Sequence, residues 1–526
     1  MNGWRAGAFA AIGLLVAGVT AFGLIRGWSA GSQLNASAQL EDDQVTLHFM
    51  INGTEGADEP NRQDFIMAAI EKKFNVRLRL TAIEPGEAYN ETIASLLAAN
   101  DPPDMWLNIN ADGGVKYTMD NVLADMTYYV TPQTMPNYFQ YWVDEQELRE
   151  YQTNNQFARA PIPFDRKSYR AYYIRRDWLT HLGMDIPRSY DEYLEVLRAF
   201  TYNDPDNNGK NDTYGFITSG NGSGISLDWP EYIQNGLLYP AYFADDQLID
   251  MQMDLRVGQV VDDILLVMDE GIVDPNWFLN KGNQHVDKAV HGKAGVILGD
   301  TSDFALDSNP DSLQTRSRKF NTEADWIPFN PFGQQPLRIE PSPEYPFVFS
   351  NITAGAAPEK LMLSASILDW LAGKEGFLLT HYGLEGKHYT LEGNTVFLHP
   401  EALEAGEEEL LKKWSFFTPK APEVLGLQVN DPRMTERDER VLQAITNMPV
   451  YEKLGTTLTP PLGVSVEAMR AKQNEWQVKM MFSDKSGKRW PEYRQDVMSN
   501  YKGNEIFQQF EEKIRLARKR LAGERR

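Results

Sequence analysis

The chain of 526 residues carries 51 lysines and arginines against 74 aspartates and glutamates, a formal net charge of −23. A field of that sign opposes nonspecific binding to nucleic acid or to an acidic bilayer. There is no cysteine, which excludes disulfide staples, a thiol nucleophile and lipid attachment through cysteine, while the length suffices for two or more substantial cores.

At the N-terminus, Arg5 precedes an apolar run over 6–25, and Ala36-Ser37-Ala38 follows. This pattern reads as a secretory signal cut before Gln39, or as an uncleaved anchor, since about 20 apolar residues can span a bilayer. Either way 1–38 stands apart from the folded body, and the rest of the chain is expected outside the cell or in its envelope. Val45, Leu47, Phe49 and Ile51 then recur at every second position and predict a strand. Phe65, Ile66, Ala69, Ile70 and Phe74 have helical spacing, so a helix is expected over 62–74. A second alternating strand over 76–80, a helix over 89–99 and a third strand over 105–109 follow. Strand and helix alternating at this pace predict an α/β parallel sheet. Ligands on such sheets bind beyond the carboxyl ends of the strands, which directs attention to 104–110, with Trp106 and Asn108.

Ser189, with Glu192 three residues on, caps a helix over 190–200. Next comes Asp204-Pro205-Asp206-Asn207-Asn208-Gly209-Lys210-Asn211-Asp212. Oxygen-bearing side chains stand at loop positions 1, 3, 5 and 9, with glycine at 6, the spacing of a calcium loop of the EF-hand type. Lys210 at position 7 offers its backbone carbonyl. Position 12 is Gly215, where an EF-hand has a bidentate glutamate. The expectation is a structural Ca2+ site, against the alternative of a polar turn that binds nothing.

Further on, Asp228-Trp229-Pro230-Glu231-Tyr232 follows a Gly/Ser-rich loop, and Asn276-Trp277 follows the turn at Asp274-Pro275. An amphipathic helix is expected over 256–270, a loop over 328–346, a strand over 346–349, and helices over 358–373 and 505–519. The basic end of the last helix reads as solvated. No internal repeat is apparent.

Several motifs recur in a fixed order. Ile174-Arg175-Arg176-Asp177-Trp178-Leu179-Thr180-His181-Leu182-Gly183, Pro187, Tyr190-Asp191-Glu192, the Asp204 loop and Tyr214-Gly215 follow one another. Pro103-Asp104, Gly271-Ile272-Val273-Asp274-Pro275, Gly292-Lys293-Ala294-Gly295 and Tyr382-Gly383-Leu384-Glu385-Gly386-Lys387-His388-Tyr389 extend the set. The set resembles the extracellular solute-binding proteins of family 1, which serve carbohydrate ABC importers. It is most similar to the calcium-loop branch common in Gram-positive bacteria, with its oligosaccharide- and alginate-binding members.

The resemblance implies a periplasmic-binding-protein-like fold, two α/β lobes joined by a hinge and closing over a sugar. It implies an N-lobe of 39–165 and 346–395 and a C-lobe of 166–345 and 396–526. The family's calcium ligands carry over to Asp204, Asp206, Asn208, the Lys210 carbonyl and Asp212, with Thr213 where relatives often have an acid. The implied partners are a carbohydrate and an ABC permease, with the receptor a monomer and no catalysis of its own. The missing cysteine removes the lipid anchor typical of the branch.

A sugar site needs flat aromatic faces and planar polar groups that bond two hydroxyls at once. Trp106 with Asn108, Trp229 with Glu231, and Trp277 are the residues expected to supply them, against ordinary core packing. Trp178, Trp370 and Trp476 lie on helical apolar stripes and read as core. Arg316, Arg318 and Lys319 read as an exposed basic loop, or as partners for a uronate. Rival classes are weaker. No acidic pair stands out as a glycosidase couple, and His285 with His291, or His381 with His388, lack a metal-binding spacing. Gly27-Trp28-Ser29-Ala30-Gly31 lies outside any strand-turn-helix context. A sugar-sensing envelope subunit for a signalling kinase remains the second functional reading.

Overall fold

The strand patterns near the N-terminus form neighbouring parallel strands, because the helices between them return the chain to the same sheet edge. A computed structural model describes residues 44–53, 64–83, 86–109, 114–150, 159–160, 163–342 and 346–524. The expected signal or anchor, 1–38, lies outside these residues. In chain order the strands of the two main sheets are β1 (Val45–Asn52), β2 (Val76–Ile83), β3 (Met105–Leu107), β4 (Arg159–Ala160), β5 (Ala171–Arg175), β6 (Tyr214–Phe216), β7 (Ala294–Gly299), β8 (Trp326–Phe329) and β9 (Phe347–Phe349).

The first sheet has the order β2-β1-β3-β9-β4. β1 pairs in parallel with β2 and β3, whereas β9 is antiparallel to both β3 and β4. The parallel sheet expected from the first three strands is therefore a mixed sheet, completed by β4 and by β9, whose chain returns at Phe347, far beyond Leu107 at the end of β3. The second sheet has the order β8-β5-β7-β6. Tyr172 and Ile174 of β5 enter one core beneath this sheet, and Ala171 and Tyr173 enter another above it. Strands buried on both faces read as continuous apolar runs, which is why β5 and β7 show no alternation in sequence.

Core membership follows the two sheets. Leu47 to Leu148 and Phe347 to Leu427 supply one core, and Tyr172 to Ile339 and Leu454 to Ile514 supply another. The boundary expected after 395 thus falls later. Leu410, Leu411, Trp414, Phe417 and Leu427 are buried in the first core, and Trp414 Nε1 donates to Asp64 at 2.8 Å. The strand Thr395–Leu398 also pairs with Gln428–Asn430, which ties 396–430 to the first lobe. The crossing back follows Asn430, and the helix Glu436–Thr446 packs with the second lobe through Val441 and Ile445.

Local expectations mostly match. Ser189 Oγ accepts from the Glu192 amide, although the Glu192 carboxylate reaches the Arg188 amide (2.7 Å) one residue before the box position. Pro328 belongs to β8 and not to the loop. Arg316 and Arg318 end a helix, Leu313–Arg318. They pair with Asp287 (2.5 Å) and Asp307 (2.8 Å), so they are not a free basic loop awaiting a uronate.

Candidate functional site

Strand polarity defines one functional edge for each sheet. In the second sheet β6 and β7 are parallel and end at Phe216 and Gly299. β5 is antiparallel to β7, with Ala171 opposite Gly299, so Arg170 precedes β5 at that same edge. Asp300 follows β7 and the loop 217–228 follows β6. Open α/β sheets bind ligands at this end.

Arg170 organises the edge. Its guanidinium is buried, donates to Asp300 Oδ2 at 2.9 Å and to the Leu227 carbonyl at 2.8 Å, and stands 3.7 Å from Asp228 Oδ1. It also lies 4.5 Å from the Tyr239 ring, which Arg338 approaches to 5.7 Å. The fork of donors fixes the end of the 217–228 loop. Thr218 and Ser226 close the loop internally (2.7 Å), and Thr218 reaches Asp228 Oδ2 at 3.1 Å. Backbone amides of Gly220, Asn221 and Gly222 donate to the carbonyls of Trp277, Asn280 and Phe278.

This loop bounds a cavity of about 390 Å³, lined by Asn221, Ser223, Ser226, Asp228, His285 and Asn474 among others. That volume is in the range of small-ligand sites. Its polar lining is hydroxyls, amides, one carboxylate and the His285 imidazole, groups that pair with vicinal hydroxyls, beside the apolar Ile225 and Leu227. Burial holds the His285 ring below the usual imidazole range, so it is neutral at pH 7. Its Nδ1 faces the Gly282 carbonyl at 3.1 Å and must donate there, which leaves Nε2 as an acceptor.

The first sheet presents its own carboxyl edge at Asn52, Ile83 and Leu107. Asn108 follows β3 there, its amide donating to the Pro346 carbonyl at 2.9 Å. Its side chain is buried and neither Oδ1 nor Nδ2 has a partner. An unspent buried amide is costly, and among the expected ligand residues Asn108 is the one with free hydrogen-bonding capacity at a strand end.

The other expected ligand residues lie elsewhere. Trp106 is buried inside β3, edge-on to Tyr117 at 6.3 Å. Trp229 and Trp277 are buried against each other, T-shaped at 5.2 Å, in the second core. None of these rings presents a face to a sugar; apolar burial beneath the loops has claimed them. Glu231 is 1% exposed, with Oε1 accepting from Tyr190 OH at 2.8 Å and Oε2 unpartnered. Burial pushes its carboxyl up to about 7. It sits beneath the loop, not in the cavity. The Gly/Ser-rich stretch itself, with Arg170, His285 and Asn474, was missed in favour of the aromatics that follow it. The usable signal was the strand end at Phe216.

The Asp204 loop closes on itself. Asp204 accepts from the amides of Asn208 (3.0 Å) and Gly209 (2.9 Å), and Asn208 Nδ2 reaches Asp206 (3.0 Å) and Asp212 (3.1 Å). Four of the five expected ligand residues therefore converge. Asp206 Oδ1 is buried without a partner. Burial and a hydrogen bond with Asp204 raise its carboxyl above the usual range. Lys293 takes Asp212 Oδ2 at 2.7 Å, and among the described residues no three acidic or histidine side chains are arranged to hold a metal. Position 12 has a steric explanation: a Cβ on Gly215 would meet Leu197 Cα at 2.6 Å. Thr213 is buried and bonds the Phe200 carbonyl at 2.6 Å, pointing away from the loop.

Two α/β lobes of this kind correspond to a solute-binding-protein fold. No family model matches the chain. Among curated proteins, lipoprotein LipO of Bacillus subtilis is 26% identical over 382 residues, 69% of this chain and 72% of that one. The polygalacturonan/rhamnogalacturonan-binding protein YtcQ of B. subtilis is 25% identical over 240 residues, 44% of this chain and 45% of that one. Among solved structures, the Streptococcus pneumoniae ABC-transporter substrate-binding protein FusA in complex with kestose aligns at a TM-score of 0.66 and 16% identity, covering 91% of this chain and 100% of that one. The alginate-binding protein AlgQ2 aligns at 0.66 and 15%, covering 90% and 98%. The chain thus has the fold of ABC-transporter solute-binding proteins over about nine-tenths of its length, as the ordered motifs implied.

Proposed function

We propose that this protein is a carbohydrate receptor whose lobes close over an oligosaccharide and present it to the permease of an ABC importer. The observation that carries the reading is the hydroxyl- and amide-lined cavity at the carboxyl edge of the second sheet. Closure brings that cavity toward the first sheet's edge, where Asn108 holds an unpaired amide for a sugar hydroxyl. The similarity to sugar-binding relatives supports the same reading. Nothing in the cavity pairs two carboxylates across a reacting bond, and the protein is read as a non-catalytic monomer. It acts outside the cell membrane, tethered by its apolar N-terminus or released. The described residues contain no helix long and apolar enough to cross a membrane.

A thermal-shift screen of oligosaccharides and uronides tests the reading. At least one is expected to raise the melting temperature, by ligand linkage to the native state, and to be recovered unchanged. Hydrolysis of the bound sugar by pure protein would replace receptor with enzyme.

Calcium belongs to the scaffold of this proposal. Asp204, Asp206, Asn208, the Lys210 carbonyl and Asp212 would hold Ca2+, which supplies the positive charge the clustered carboxylates lack. Chelator is expected to lower the melting temperature of the wild type, and Asp204→Ala with Asp206→Ala to abolish that sensitivity. Equal melting curves with and without chelator would return the loop to a polar turn.

A further inference from the structure

Beside the polar cavity lies an aromatic surface that none of the roles above uses. The helix Val466–Lys479 carries Asn474 into the cavity lining and runs into a single π-helical turn, Met480–Asp484. Such wide turns are frequent at functional sites. Met480 and Met481 are buried, whereas Phe482 is 41% exposed. The wider turn lowers the rotation per residue and brings Phe482 back toward the helix face that bears Asn474. The Phe482 ring lies 4.7 Å from Phe278 and 6.3 Å from Trp277. Phe278 in turn backs the cavity loop, since Gly222 donates its amide to the Phe278 carbonyl at 2.7 Å. Next to it Leu279 is 65% exposed.

The Phe482 ring stays partly exposed with the Lys485 ammonium 5.8 Å from its centre, and burial beneath the loop has not claimed it as it has Trp277. Contacts at and just past the turn hold it: Ser486 donates its amide to the Met480 carbonyl at 3.2 Å, Tyr493 OH donates to Asp484 at 2.6 Å, and Gly487 donates to Asp262 at 2.7 Å. The shelf is therefore preformed and continuous with the cavity through Gly222 and Asn474.

We propose that Phe482, supported by Phe278, is a second ring-binding subsite. It stacks on the apolar face of the sugar residue adjoining the one held in the polar cavity, so the ligand has at least two residues. The inference rests on reading the cavity as a sugar site. Isothermal titration of the full chain with two series tests it: fructose, sucrose and kestose, and mono-, di- and trigalacturonate. In the series that binds, the wild type is expected to prefer the longer members. Phe482→Ala is expected to weaken them about 5- to 10-fold, the scale of one aromatic contact, while leaving the monosaccharide unchanged. Phe482→Tyr is expected to restore the preference. Asn474→Ala is expected to weaken every member alike. Loss of affinity in Phe482→Ala that is the same for one ring as for three, or no loss at all, overturns the shelf and leaves the cavity standing. Failure of the wild type to bind any probe overturns both.

Discussion

Arg170→Ala is expected to lose at least about 100-fold in affinity for whichever sugar the screen identifies, about 2.7 kcal/mol of binding free energy. The side chain is not itself part of the cavity lining; it holds Leu227 and Asp228, which are. One guanidinium fixes the Leu227 carbonyl, Asp300 and the neighbourhood of Asp228. With the fork removed, Asp228 and the 219–226 backbone must be ordered at the moment of binding, and that entropy is charged against affinity. Asp228 and Asp300 retain solvent access, with side chains 26% and 48% exposed. The folding cost should therefore be only roughly 1–3 kcal/mol, below that of breaking a fully buried pair. Arg170→Lys keeps the charge but cannot span three acceptors, so it should resemble alanine in affinity. Arg316→Ala, which removes a pair with Asp287 away from the cavity, is the control. Titration calorimetry and thermal melts on the three proteins decide it, and wild-type affinity in Arg170→Ala would take the loop out of the site.

Glu231→Gln should stabilise the protein at pH 8 and do little at pH 4. The folded carboxyl titrates at about 7, raised first by burial, and the unfolded one near the ordinary 4.5. Between these values the unfolded chain has released a proton that the folded chain keeps. Wild-type stability therefore falls as pH rises from about 4.5 to about 7, and the penalty is complete above that. Its size is roughly 3 kcal/mol at most, and glutamine, which has no proton to lose, escapes it. Tyr190 OH can still donate to the amide oxygen. Urea unfolding of both proteins at pH 4 and pH 8 measures the difference, and an advantage of glutamine that is equal at the two pH values would contradict a titrating Glu231.

The candidate site shows how unevenly sequence carries information. The tight turn at Asp204 was legible because its Asp/Asn/Gly spacing is local: these residues fold back on one another within a single short stretch of chain. Strands β1 to β3 were legible for the same reason, since their apolar period and the helices between them lie in one stretch of chain. The stacking tryptophans were misread. Trp229 and Trp277 follow loop-like sequence and look exposed, yet they are buried against each other, and Phe482 stacks on Trp277 from beyond residue 480. Phe482 was invisible as a binding residue, because a π turn has no sequence signature comparable to a helix cap.

By itself the sequence determined a cysteine-free, acidic chain of two α/β lobes, an ordered motif set and the tight polar turn of the Asp204 loop. These depend on periodicity and short-range spacing. Only the tertiary structure decided which aromatics are buried, that Arg170 holds the cavity loop, that residues 396–430 return to the first lobe and why position 12 is Gly215. Each of those rests on contacts between residues far apart in the chain. Burial there is settled by what packs on top, which no local pattern records.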